Sequence, residues 1–120
     1  MKFCWTTLHV SDMRRSLEFY SEILGLGPAA HMGNDAHRVV MLGDCGGTRL
    51  ELMCDGSPVP ADAGKGVSVG FAPDNLDALI EKLRDKHGIA AVGPVSPTPD
   101  IRFFFIRDPD GYTVQLLEQR

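Results

Sequence analysis

Several protein classes are excluded by what this 120-residue chain lacks. It has 3 cysteines, Cys4, Cys45 and Cys54. The count is odd and no Cys-x-x-Cys pair occurs, so neither a disulfide framework nor a zinc knuckle is indicated. Reduced thiols are the default expectation, and Cys4 and Cys54 read as inert core positions. No apolar run approaches ~18 residues, so no membrane span is expected. The opening Met-Lys-Phe-Cys-Trp-Thr-Thr has neither the apolar core nor the cleavage site of a signal peptide, which predicts a cytoplasmic protein. Lysine and arginine total 12 against 16 acidic residues, and Arg14-Arg15 is the one adjacent basic pair. A nucleic-acid surface needs a basic stripe, so no nucleic-acid partner is expected.

What is present is close to the globular average, with 43% hydrophobic and 23% charged residues. The length predicts a single domain over 1–120 with a core of its own. Within it the chain repeats itself. Trp5–Met13 lies over Ser68–Leu76 at an offset of 63, and Met13, Leu17 and Tyr20 then meet Leu76, Ile80 and Leu83. Gly25-Leu26 meets Gly88-Ile89. At an offset of 64, Asp44–Gly47 meets Asp108–Gly111, and Leu50–Leu52 meets Val114–Leu116. Each half reads as a strand, a helix and three strands.

The helices rest on apolar residues at helical spacing, Met13, Leu17, Tyr20 and Leu24 in the first and Leu76, Leu79, Ile80 and Leu83 in the second. Ser11 or Asp12 is the expected first cap and Asp74 the second, with Gly25 and Gly88 as stops. The remaining strands are expected near Pro28–Met32, Arg38–Leu42, Arg49–Cys54, Ala90–Gly93, Arg102–Ile106 and Thr113–Leu117. The prolines of Gly93–Pro99 suggest a loop. The boundaries predicted are module one 1–56, linker 57–65 and module two 66–120.

Alternation along the strands separates two faces. One is nearly all apolar and needs the helices to cover it. The other carries Trp5, Thr7, His9, Glu51, Met53, Ser68 and Gln115, with Phe103 and Phe105 from the aromatic run. That mixture suits either a solvated surface or a concave pocket holding a few polar groups. Trp5 and Met53 favour the pocket.

The segments Val10–Tyr20, Ile23–Leu26, Leu50–Leu52 and Phe103–Tyr112 carry a resemblance. From about residue 3 to about residue 118 the chain resembles the vicinal oxygen chelate superfamily, which includes glyoxalase I, bleomycin-resistance and fosfomycin-resistance proteins and extradiol dioxygenases. The resemblance implies an α+β fold in which two βαβββ modules form a cupped mixed β-sheet with the helices on its outer face, often as a homodimer. It also implies four metal-ligand positions, which here hold Trp5, Glu51, Ser68 and Gln115. An indole has no lone pair to give, a serine hydroxyl is a poor ligand and a glutamine oxygen brings no charge. No metal site of the usual kind is therefore expected, and no cofactor. A divalent metal held by a rearranged set of His9 and Glu51, with His37, stays open.

The expected function is binding of a small organic molecule in the sheet cup without metal, in a drug-sequestering or resistance-type role. Glu51 and the net charge of −4 lean toward a cationic ligand. The alternative is a lyase or isomerase resembling glyoxalase I, metal-dependent through His9 and Glu51, or metal-free with either residue as base. In that case Gln115 or Ser68 would donate to an oxyanion. Glu51 needs a partner, for which His9, Arg49, Arg38 and Gln115 are candidates. Arg38, Arg49 and Arg102 could hold an anionic ligand or lie at the rim.

Overall fold

The computed structural model describes residues 1–120. The chain divides into two compact units, Met1–Ala61 and Asp62–Arg120. No helix is long and apolar enough to cross a membrane.

In module one, β1 (Trp5–His9) leads into α1 (Met13–Leu17), and β2 (Ala29–Asn34), β3 (His37–Leu42) and β4 (Arg49–Cys54) follow. The strand order is β1-β4-β3-β2, with β1 parallel to β4 and the other pairs antiparallel. Module two repeats this with β5 (Ser68–Phe71), α2 (Leu76–His87), β6 (Val92–Thr98), β7 (Ile101–Arg107) and β8 (Thr113–Gln119), in the order β5-β8-β7-β6. The register repeats as well. Trp5 faces Arg49 and Ser68 faces Thr113; Leu42 faces Leu50 and Ile106 faces Val114. The fold is thus α+β, built of two βαβββ modules.

Both helices begin the same way. Asp12 accepts a hydrogen bond from the Arg15 amide, and Asn75 accepts one from the Ala78 amide. Each side-chain oxygen satisfies an amide that has no partner within its helix. The second cap is therefore Asn75 and not Asp74, because Asn75 is the residue left in an extended conformation (φ −137°) as the helix starts. Gly25 (φ 75°) and Gly88 (φ 64°) follow the two helices in the left-handed conformation that glycine adopts without strain.

The first helix is not α-helical throughout. From Glu18 to Ile23 it widens to a π-helix, and the Leu24 amide reaches back five residues to the Phe19 carbonyl. The extra residue shifts the helical phase, so the adjacent aromatics Phe19 and Tyr20 are both buried, packed edge to face at 4.8 Å. Leu17 and Leu24, expected in the core from regular 3.6-residue spacing, are half-exposed instead.

One face of each sheet is buried. In module one it carries Leu8, Val10, Val40, Leu42, Leu50 and Leu52, with α1 against β4. In module two it carries Phe104, Ile106, Val114 and Leu116, with α2 against β8. At roughly 1.5–3 kcal/mol per fully buried aliphatic side chain, these layers dominate the stabilisation. The β7–β8 turn is held by the buried carboxylate of Asp108, which accepts from the amides of Asp110 and Tyr112.

Strand β6 continues through Pro94 and Pro97, where a loop was expected. It lies at the sheet edge and its pairing with β7 is broken by register shifts, the two circumstances in which a strand tolerates residues without an amide donor. Cys4 is exposed because it precedes β1, and Cys54 is only half-buried because it ends β4. Neither is a core residue.

Candidate functional site

The helix-free face of the module-one sheet brings together most of the residues singled out in the first half of the sequence. Glu51 lies between Thr7 on β1 and Met41 on β3. Its neighbours along β4 are Arg49, opposite Trp5, and Met53, opposite His9 and Val39. The Thr7 hydroxyl donates to Glu51 Oε1 at 2.7 Å. Glu51 thus takes its partner from the adjoining strand, and none of the four candidates named from sequence fills that role. No ion pair involves Glu51. Arg49, next along the strand, leans the other way: its Nη1 lies 4.0 Å from Cys45 Sγ, and its stem runs beside Gly43. Trp5 is 47% exposed, a large aromatic surface open at this face.

His9 is held separately. Its Nε2 lies 3.1 Å from Asp55 Oδ1 and 3.3 Å from Ser57 Oγ. The Ser57 hydroxyl and amide both donate to the same Asp55 oxygen. A carboxylate beside Nε2 favours the tautomer with the proton on that nitrogen. Donation from the Ser57 hydroxyl and amide, with a smaller effect of His9, holds the Asp55 carboxyl at about 2, well below its usual range. The sequence boundaries left Asp55 at the end of module one and Ser57 at the start of the linker, and neither was singled out. The available signal was Asp-Gly-Ser directly after a strand, a spacing at which an aspartate oxygen can bond an amide two residues on.

Module two carries the counterpart row. Gln115 lies between Gly70 and Phe105, the positions that match Thr7 and Met41. A Cβ on Gly70 would fall 3.8 Å from Gln115 Oε1, so the Gln115 amide leans over β5 much as Glu51 reaches β1. Glycine offers no hydroxyl there. Ser68 is exposed opposite Thr113. Phe103 and Phe105 meet edge to face at 5.2 Å. Beside Phe105, a groove of about 380 Å³ is lined by Ala90, Val92, Ile106, Arg107 and Thr113.

The remaining arginines stand elsewhere. Arg38 shares the parity of Val40 and Leu42 and lies at the β2–β3 hairpin, beside an open pocket of about 200 Å³ that also includes His31 and Asp35. That hairpin is closed by Asn34, whose Oδ1 accepts from the amides of Ala36 and His37. Arg102 shares the parity of Phe104 and Ile106 and bridges Asp77 of α2 (3.0 Å) and Glu118 of β8 (2.8 Å). Those two carboxylates, Asp77 foremost, raise its pKa. It ties helix to sheet.

The side chains at the four implied ligand positions do not suit a divalent transition metal. Trp5 has no lone pair to offer, Ser68 and Gln115 carry no charge, and one Glu51 oxygen already accepts from Thr7. No group of three or more His, Cys, Asp or Glu side chains converges in the structure.

Comparison with known proteins agrees with this architecture. The Glyoxalase/Bleomycin resistance protein/Dioxygenase superfamily matches residues 2–116. The lactoylglutathione lyase of Escherichia coli O157:H7 is 27% identical over 128 aligned positions, which cover 100% of this chain and 94% of that enzyme. Among solved structures, a glyoxalase/bleomycin resistance protein from Streptomyces sp. CB03234 is 26% identical with a TM-score of 0.73, covering 98% of this chain and 100% of that one. TnmS3, an antibiotic binding protein from the same organism, has a TM-score of 0.78 at 24% identity, covering 100% of this chain and 97% of its own. The chain belongs to the glyoxalase/bleomycin resistance/dioxygenase superfamily.

Proposed function

We propose that this protein binds a small organic molecule on the helix-free face of its sheets, with no metal ion. The observation that carries the reading is the environment of Glu51: bonded to Thr7, free of any ion pair, on the face where Trp5 stands exposed. An aromatic platform beside a few directed polar groups is the composition of small-molecule sites. Trp5, Thr7, His9, Glu51 and Met53 form the contact set of module one, and Ser68, Gln115, Phe103 and Phe105 that of module two. The fold it shares with TnmS3 serves an antibiotic binding protein there, and a sequestering or resistance-type role follows the same chemistry here. A compound library screened by thermal shift tests this. Hits should lose their shift in Trp5→Ala and Glu51→Gln; hits indifferent to both substitutions place the binding site elsewhere.

The end-to-end match with lactoylglutathione lyases favours a second reading, a lyase or isomerase, which the ligand chemistry of Trp5, Ser68 and Gln115 makes metal-free. Glu51 is then the better base. Its Oε1 is oriented by Thr7 and its other oxygen is available, whereas His9 Nε2 is engaged by Asp55 and Ser57. Lactoylglutathione lyase activity in chelator-treated protein, abolished by Glu51→Gln, would establish it.

A further inference from the structure

We propose that the Trp5–Glu51 face takes an organic cation, a ligand carrying an alkylammonium group. The inference rests on the small-molecule reading above and adds the charge of the ligand. Alternation and register assign to this face Trp5, Thr7 and His9 from β1, Arg49, Glu51 and Met53 from β4, and Val39 and Met41 from β3. Glu51 is the one carboxylate among them. Arg49, the nearest cation along the strand, is directed toward the β3–β4 turn, where its Nη1 lies 4.0 Å from Cys45 Sγ, and it forms no ion pair with Glu51. His9, one row on, already faces the carboxylate of Asp55, so that end of the face adds no unmatched positive charge.

The remaining chemistry fits the same ligand. Trp5 and Glu51 are diagonal neighbours across β1 and β4, which places their Cα atoms about 8 Å apart, with Thr7 beside both. Tryptophan is the strongest aromatic partner for a cation. A trimethylammonium group is about the size to lie on the indole while its charge meets the carboxylate. Thr7 occupies Oε1 and leaves the second oxygen for the ligand. Met53, half-buried, flanks the position with polarizable sulfur, which adapts to irregular alkyl groups, while Met41 is buried. An anion would meet a carboxylate to which no cation is ion-paired.

Trp5 is the only tryptophan, so its fluorescence reports this face directly. The probes are three compounds of nearly one shape: choline, the neutral 3,3-dimethyl-1-butanol and the anionic 3,3-dimethylbutanoate. Choline should change Trp5 emission with at least ten-fold higher affinity than either of the others. Glu51→Gln, which keeps an oxygen for Thr7, should erase that preference while the melting temperature holds. Equal binding of choline and the neutral alcohol overturns the cation inference and leaves the small-molecule reading standing. Preference for the anion overturns it too. If none of the three perturbs Trp5, the cation inference fails, and the small-molecule reading is decided by the library screen.

Discussion

Thr7 and Glu51 face each other across the parallel β1–β4 pair, and the threonine hydroxyl donates to the carboxylate at 2.7 Å. Thr7→Val removes the donor while keeping the shape. The bond is exposed, so stability should fall by no more than about 1 kcal/mol in denaturant melts. Ligand affinity should fall several-fold, because Glu51 is no longer oriented. Unchanged affinity would show that Thr7 does not position Glu51.

Asp55 sets an acid-limb prediction. Its folded pKa, about 2, lies below the ordinary aspartate value of 3.8. The ionised form is therefore favoured by folding, and its stabilisation is fully present above the unfolded pKa and lost as pH falls through about 2. Carboxyl NMR should show Asp55 titrating near 2. Ser57→Ala should move it toward 3.8 by more than His9→Ala does, since Ser57 supplies the two largest effects. The reverse order would mean His9 is the main partner.

The two caps test the repeat energetically. Asp12→Ala and Asn75→Ala each delete a side-chain acceptor for an amide three residues on. Each should cost about 1 kcal/mol in chemical denaturation. A loss at one site with none at the other would show that the modules do not share the device.

Ser16 is fully buried and its hydroxyl has no hydrogen-bond partner. A buried unsatisfied hydroxyl is destabilising, and alanine is also the better helix former. Ser16→Ala should gain about 1 kcal/mol, a rise of about 4 °C in melting temperature. A fall would mean the hydroxyl makes a bond in solution.

These predictions draw on features of unequal legibility. The repeat is visible because each module needs a cap, a glycine stop and a turn at fixed distances. Asp12 and Asn75, Gly25 and Gly88, and Asp44 and Asp108 therefore recur near offsets of 63 and 64. Strand parity likewise sorted Leu8, Leu50, Leu52 and Val114 into the core from alternation alone. Partnerships across strands distant in sequence were hidden. Nothing local marks Thr7 as the neighbour of Glu51, because β1–β4 pairing joins residues 44 apart. Asp55 and Ser57 were hidden by the proline- and glycine-rich composition around them. The π-helical turn escaped notice because Met13, Leu17, Tyr20 and Leu24 satisfy a regular helix equally well, and only packing selects the wider form that buries Phe19.

The central claim is that this face binds its ligand without a metal ion. Isothermal titration of the chelator-treated protein with Ni²⁺, Zn²⁺, Mn²⁺ and Fe²⁺ tests it most directly. The account predicts no stoichiometric binding of any ion at micromolar concentration and no change in Trp5 emission. One equivalent bound tightly, and lost in Glu51→Gln, would contradict it.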